Sequence, residues 1–339
     1  MAFNFKRPPD TPPQYCIFGK LPRRGDFVRV NATHPAAMHL DQLLAGSLQI
    51  AAGDAEAAAR YRETPPTSFV LRSKDARWLS IGIVQPSHDE GGRNYPLVAA
   101  SLAPAESTVP SLAILLLANE LFFSGLREQL RSAMDNSVEM VACRQYLEEQ
   151  LAFGTSSSAD IELAQQLLER HLAATPARLL DESLAAAGMG SLEAVLLAFL
   201  FHHRLLRKFG DAVPAQTYLL PLPCREGEDV LTAVTWLALY QAATAGSGSE
   251  CEQFMILRRK EGYFLSLLPG ALTEQIATQC WGATLDPKFI VDIWDERAPW
   301  RSHQSHAEAA YILGRQMNDP ALSIAQLRGV MESLSRSVA

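Results

Sequence analysis

The first half of the fold is decided by the stretch Gly19-Lys20-Leu21-Pro22-Arg23-Arg24-Gly25-Asp26-Phe27-Val28. Apolar residues flank the turn, 15–18 before it and 27–30 after it, and Pro22 and Gly25 supply the turn itself. Two short apolar runs joined in this way are typical of adjacent antiparallel strands. The sequence therefore predicts a strand, a charged loop and a second strand where the folded region begins.

A second loop of the same kind reads Pro86-Ser87-His88-Asp89-Glu90-Gly91-Gly92-Arg93-Asn94-Tyr95-Pro96-Leu97. Predicted strands precede and follow it, at 78–84 and 97–102, and 68–72 adds another. Loops that concentrate Gly, Pro and charge shape a fold or form a contact surface. We expect both loops at one end of the sheet, where Asp26 and Asp89 accept hydrogen bonds from Arg93, Arg24 or backbone amides. Direct contact of these charges with a partner stays open as the alternative.

The pattern along the chain predicts an α+β protein, with an antiparallel sheet flanked by helices, and at 339 residues two packed units. The predicted divisions are a flexible arm at 1–14, an N-terminal α/β domain at 15–131, a helical connector at 132–191, a smaller second α/β domain at 192–299 and C-terminal helices at 300–339. Within the second domain, strands are predicted at 216–222, 253–257, 263–268 and 289–293. A helix is predicted over 35–61. The apolar stripe of the last helix, which includes Leu327 and Met331, is expected to pack back onto the second domain.

Composition narrows the function classes. The net charge of −7 and the lack of a basic stripe argue against a nucleic-acid binder, which needs clustered cations to displace counterions from phosphates. The apolar runs are too short to span a bilayer, and the first residues lack the apolar core of a secretory signal. Five scattered cysteines indicate neither a disulfide framework nor a metal site. We therefore expect a cytoplasmic protein with no direct membrane insertion.

Known catalytic patterns are missing from the sequence. Gly19-Lys20 lacks the surrounding residues of a phosphate-binding loop, and no GxSxG, HExxH or CxxC pattern occurs. The acidic run 292–296 is expected to be an exposed turn, and His202-His203 the solvated edge of a helix. We expect no catalytic residue, no cofactor and no metal. A hydrolase that uses carboxylate or His side chains of the second domain remains an alternative.

Both loops carry a family resemblance. The first resembles the Gly-Lys-Leu-Pro-Ser-Arg-Gly-Asp-Phe-Val signature of the TagF (ImpM) family, which accompanies type VI secretion systems, and Arg23 replaces the usual Ser. The second is similar to the family's Pro-Ser-x-Asp-x-x-Gly-Arg-x-[Phe/Tyr]-Pro-Leu run. The matching and adjacent residues singled out as partner-binding or loop-fixing are Lys20, Arg24, Gly25, Asp26, Asp89, Gly92, Arg93 and Tyr95.

The resemblance implies a longin- or profilin-like N-terminal domain and a non-catalytic regulator that represses assembly of the secretion apparatus after translation. It also implies the partner, a forkhead-associated-domain protein of the system, through which the chain would be recruited to the inner-membrane complex. A scaffold that binds a GTPase-like switch, as longin-like folds do, is a further alternative that depends on fold analogy.

Overall fold

A computed structural model describes residues 14–105, 111–153, 158–210, 213–245 and 253–338. Its strands are β1 Tyr15–Gly19, β2 Val28–Val30, β3 Thr67–Arg72, β4 Trp78–Gln85, β5 Leu97–Pro104, β6 Tyr218–Leu222, β7 Gln253–Arg259 and β8 Gly262–Leu268. Its α-helices are α1 Pro35–Ala52, α2 Ala55–Arg60, α3 Leu112–Ala118, α4 Glu120–Asp135, α5 Met140–Phe153, α6 Ser158–Ala174, α7 Arg178–Ala186, α8 Leu192–Phe209, α9 Glu228–Thr244, α10 Glu274–Ala277, α11 His306–Met317 and α12 Ile324–Ser337. The predicted α+β class is confirmed, and the predicted arm lies outside the described residues except for Gln14.

The strands form one eight-stranded sheet in the order β2-β1-β5-β4-β3-β7-β8-β6, and all neighbouring strands are antiparallel. Strands from the two predicted α/β domains meet where β3 pairs with β7, with Phe69 opposite Met255. The sheet is therefore continuous through both halves of the chain. The predicted domain boundaries stay a prediction.

Helices cover both faces of the sheet. Alternate residues of each central strand point to opposite sides, so that Ile17 and Ile83 join one buried cluster while Cys16 and Val84 join the other. The larger cluster packs under helices that include α4, α8, α9 and α12, and the smaller one packs under α1, α2 and α10. Burial on both faces explains why β1 and the first four residues of β5 are continuous apolar runs rather than alternating ones.

Two predicted elements differ from the structure. The predicted helix over 35–61 is interrupted, because Asp54 accepts hydrogen bonds from the backbone amides of Glu56 and Ala57 and so starts a separate helix, α2. The predicted strand over 289–293 is wrong. A short 3-10 helix covers Pro287–Phe289, and a single parallel bridge joins Ile290 to Thr217.

Two predictions about the second half of the chain had different outcomes. The last helix does pack back onto the protein, since Leu327 and Met331 are fully buried. The prediction that His202 and His203 form a solvated edge is wrong, because both side chains are buried. Each ring has a tyrosine hydroxyl as a hydrogen-bond partner, Tyr218 for His202 and Tyr240 for His203. Burial next to aromatic hydroxyls is a property that local sequence pattern does not reveal.

Candidate functional site

The two signature loops leave the same end of the sheet. Strand β1 ends at Gly19, which lies opposite Val28 of β2 on one side and opposite Leu97 of β5 on the other. The first loop, 20–27, therefore emerges beside the second loop, 86–96. The antiparallel register of three strands brings together residues that are about seventy positions apart in the sequence.

A buried ion cluster ties the loops to each other. The Asp89 side chain is fully buried, and its Oδ2 atom lies 2.9 Å from Lys20 Nζ and 2.7 Å from Arg93 Nε. The backbone amide of Arg93 donates to Asp89 Oδ1 at 2.9 Å. The Lys20 ammonium is also mostly buried, whereas 72% of the Arg93 side chain is exposed. The cluster therefore reaches from the interior to the surface through Arg93.

The environment of Asp89 keeps it ionised. Burial alone would raise the pKa of its carboxyl group, but hydrogen bonds from Lys20 and Arg93 outweigh burial and hold this pKa well below its ordinary value. A carboxylate that accepts hydrogen bonds from several charged and backbone donors holds the neighbouring segments together strongly. Loss of any one donor would leave a buried charge poorly paired.

Backbone hydrogen bonds complete the connection between the loops. Ser87 Oγ donates to the Lys20 carbonyl at 2.7 Å, and the Glu90 amide donates to the Arg24 carbonyl at 3.1 Å. Tyr61 fixes the base of the second loop, because its hydroxyl donates to the Ser87 carbonyl and accepts from the Ser87 amide. The two loops are thus one structural unit.

Gly19 is required where the loops begin. Its φ of +131° lies in the region that favours glycine, and a Cβ atom there would lie 1.9 Å from the Pro96 carbonyl oxygen. Gly25 differs, since a Cβ atom there would meet nothing within 4 Å. Gly92 has a φ of +79°, which allows its amide to turn back and donate to the Asp89 carbonyl at 2.9 Å.

Cations and aromatic rings line the outer face of the loops. Phe27 packs edge-on against Tyr95 with 5.0 Å between ring centroids, and the Tyr95 hydroxyl donates to an Asp41 carboxylate oxygen. Burial, together with the hydrogen bond to Asp41, raises the pKa of Tyr95. Arg62 donates to the Gly92 carbonyl at 2.7 Å and so ties the segment after α2 to the second loop.

The predicted site residues thus fall into two groups. Lys20, Asp89 and Arg93 meet in the buried cluster, with Gly92 and Tyr95 in the same loop. The side chains of Arg24 and Asp26 are exposed, and the described part of the chain offers neither of them a side-chain partner. The side chains of Asp26 and Arg24 therefore do not form the expected hydrogen bonds. Lys20, rather than Arg24, is the cation of the first loop that pairs with Asp89.

Comparison with known families agrees with the paired loops. Residues 16–150 match the family described as the TagF N-terminal domain, type VI secretion system-associated. The chain carries a TagF N-terminal domain. The match extends beyond the boundary predicted at residue 131 and takes in most of α5, which contacts β1. Tyr15 links the two elements by donating to Glu148 at 2.6 Å.

A search of solved structures finds similarity to PA0076 from Pseudomonas aeruginosa PAO1, whose crystal structure has a resolution of 2.05 Å. The sequence identity is 25%, the TM-score is 0.31, and the match covers 40% of this chain and 61% of PA0076. A search of curated proteins found no match. The association with type VI secretion therefore depends on the TagF N-terminal domain.

Sequence reasoning about this TagF domain missed several contributors. Ser87 and Tyr61 fix the loops through backbone contacts, and Arg62 does so from outside both motifs. Ser87 lies within the quoted motif and was a findable signal, whereas nothing near Tyr61 or Arg62 in the sequence indicates their distant partners. Phe27 was predicted to be part of a strand. In the structure it lies before β2, 42% of its surface is exposed, and Lys20 lies over its ring.

The candidates for catalysis in the second half have structural contacts. Asp292 and Asp295 lie in an exposed turn and accept hydrogen bonds from the backbone amides of Trp294 and Arg297. Farther along the chain, outside the predicted second domain, the rings of His303 and His306 pack against Phe201. Among the described residues, no group of three or more metal-binding side chains occurs, and no helix is long and apolar enough to cross a membrane.

Proposed function

We propose that this protein is a post-translational repressor of a type VI secretion system, and that it acts by binding a forkhead-associated-domain component of that system. The binding surface is the outer face of the two signature loops. Binding, rather than bond chemistry, is the activity: the protein occupies the component and withholds it from assembly. It reaches the inner-membrane complex from the cytoplasm only through this partner.

The observation that carries the proposal is the construction of the loops. Their inner side is fixed by the buried Lys20–Asp89–Arg93 cluster, while their outer side is left exposed with charged and aromatic side chains. Fixing a loop in one conformation before binding lowers the entropy that association must overcome.

The family match supports an association with type VI secretion, and the identity of the partner is left to experiment. A TagF N-terminal domain associates the chain with type VI secretion, and the loops that identify the family are the same loops that share the ion cluster. A protein that represses by occupying a partner needs a surface of fixed shape, and the two loops provide one.

The test is a binding measurement between the purified full-length protein and the purified forkhead-associated-domain component of the same secretion system. Isothermal titration calorimetry should give a saturable isotherm of fixed stoichiometry. Arg93→Ala should weaken binding by about tenfold or more, because Arg93 is both an exposed side chain and a donor to Asp89. The matched control is Arg297→Ala, which removes another exposed arginine, from the second half of the chain.

A second readout follows the repression itself. Overproduction of the wild-type protein in its host should lower the amount of secreted type VI components in the medium, and overproduction of Arg93→Ala should not. Each variant's melting temperature is measured alongside, so that loss of function is separated from loss of fold. Normal secretion under wild-type overproduction, together with no detectable binding, would overturn the proposal.

A further inference from the structure

The outer face of the signature loops has an exposed aromatic ring at its centre. Phe27 is 42% exposed, and cations lie over the ring, with Lys20 Nζ at 5.2 Å and Arg29 Cζ at 5.5 Å from its centroid. Tyr95 supports the ring from the side. Aromatic residues and arginines dominate the binding energy of protein interfaces, and they do so near the centre of the contact.

Five arginines lie in or beside the two loops at this end of the sheet. We define the arginine face as Phe27 together with Arg23, Arg24, Arg29, Arg62 and Arg93. The side chains of Arg23 and Arg24 are exposed, and the described residues provide no acceptor for them. Arg93 uses Nε on Asp89, and Arg62 uses Nε and Nη2 on Asn94 and Gly92. Both side chains are exposed, and each keeps further guanidinium N–H groups for a partner.

The charge of this face is opposite to that of the chain. The two loops contain four cations, Lys20, Arg23, Arg24 and Arg93, and three carboxylates, Asp26, Asp89 and Glu90. Arg29 and Arg62 lie just outside the loops and add two positive charges, so that this surface is net positive. The next carboxylate inward, Asp41, accepts the Tyr95 hydroxyl. The chain as a whole carries −7. A local positive surface on a negative protein orients an acidic partner toward one end of the sheet.

We infer that the arginine face binds a protein surface that carries Asp and Glu carboxylates around an apolar recess, and that Phe27 enters this recess. The inference rests on the proposed function and names the chemistry that the partner must present. A protein partner is favoured over a lipid bilayer or a nucleic acid because an exposed aromatic ring at the centre of a small cationic surface fits a packed protein contact.

The test uses charge reversal with a matched control. The variant Arg23→Glu/Arg24→Glu/Arg29→Glu is compared with Arg170→Glu/Arg297→Glu/Arg315→Glu, which makes the same change in net charge at exposed arginines of the second half of the chain. Binding to the purified forkhead-associated-domain component is measured by calorimetry at several salt concentrations. The first variant should bind about 100-fold more weakly, with a reduced dependence on salt, and the control should stay within about twofold of the wild type.

The aromatic centre has its own pair of variants. Phe27→Ala should weaken binding about 30-fold, as expected for the central residue of an interface. The control is Tyr311→Ala, which removes an aromatic ring that is 67% exposed on α11. Melting temperatures close to that of the wild type confirm that all four variants are folded.

The outcomes separate the inference from the proposed function. If the wild type binds and the loop variants bind equally well, the inference is overturned while the proposed function stands. If the wild type does not bind, both fail. Loss of binding after phosphatase treatment of the partner would assign the contact to phosphate and overturn the carboxylate assignment. Binding to phosphatidylglycerol vesicles that is lost in the triple loop variant would assign the face to a lipid surface instead.

Discussion

Two buried carboxylates in this protein are held by similar chemistry but have different surroundings. Asp89 accepts hydrogen bonds from Lys20, from Arg93 and from a backbone amide. Asp229, at the start of α9, accepts from Arg258 at 2.7 Å and from the backbone amides of Gly227 and Val230. Both carboxylates are fully buried.

The difference lies in the cations. Arg258 is only 12% exposed, so the pair with Asp229 fixes a helix to the sheet inside the protein. Arg93 is 72% exposed, so the cluster around Asp89 continues into a surface. The same kind of ion pair therefore serves two ends: stability alone in the second half of the chain, and a fixed outer surface in the TagF N-terminal domain. The predictions below test whether the two sites separate in this way.

Asp229→Asn should have the largest effect on stability. The substitution leaves the buried Arg258 guanidinium without its counter-charge, and breaking a buried pair from one side typically costs about 3–5 kcal/mol. Urea denaturation would show this as a lower midpoint at an unchanged slope. A decrease below about 1 kcal/mol would mean that Arg258 finds solvent or another partner.

Gly19→Ala should destabilise the loop end of the sheet by about 2–3 kcal/mol, because the residue has a positive φ and its Cβ atom would overlap the Pro96 carbonyl. Gly25→Ala is the internal control and should change the free energy of unfolding by less than about 0.5 kcal/mol. Thermal melts of the two variants provide the comparison. Equal effects would show that the two loops are not held together at Gly19.

Lowering the pH should destabilise the protein through buried histidines before it affects the ion cluster. Burial lowers the pKa of His202 and of His203 to about 4. Because their pKa values are higher in the unfolded chain, the unfolded state binds more protons between pH 6.5 and 4, and stability falls as the pH falls through this window. As the pH falls from 7 to 5.5, the two histidines together should lower the free energy of unfolding by about 2 kcal/mol.

Asp89 loses its contribution to stability over a different pH range. Its pKa is lowered in the folded state, so its contribution is present above the ordinary pKa of an aspartate, about 3.9, and is lost only as the pH falls below that value. The contrast can be measured with His202→Asn, whose urea midpoint should vary less between pH 7 and 5.5 than that of the wild type. An unchanged pH dependence would mean that other groups control acid sensitivity.

The predictable part of this protein was its local pattern. Strands β1, β3, β4 and β5 follow apolar runs that a Gly or Pro bounds on at least one side, and the paired motifs were sufficient to identify the loops. The continuity of the sheet was not predictable, because the pairing of Phe69 with Met255 joins residues far apart in sequence. Nor could pattern distinguish Lys20 from Arg24 as the partner of Asp89, since both are cations in the same loop and only the backbone direction after Gly19 separates them.

The account's central claim is that the buried cluster around Asp89 exists to fix a binding surface. The most direct test is the affinity of Asp89→Asn and of Asp229→Asn for the forkhead-associated-domain component, measured at a temperature where both variants are folded. We expect Asp89→Asn to bind at least about tenfold more weakly than the wild type and Asp229→Asn to bind normally despite its lower stability. Normal binding by Asp89→Asn, or an equal loss in both variants, would contradict the claim.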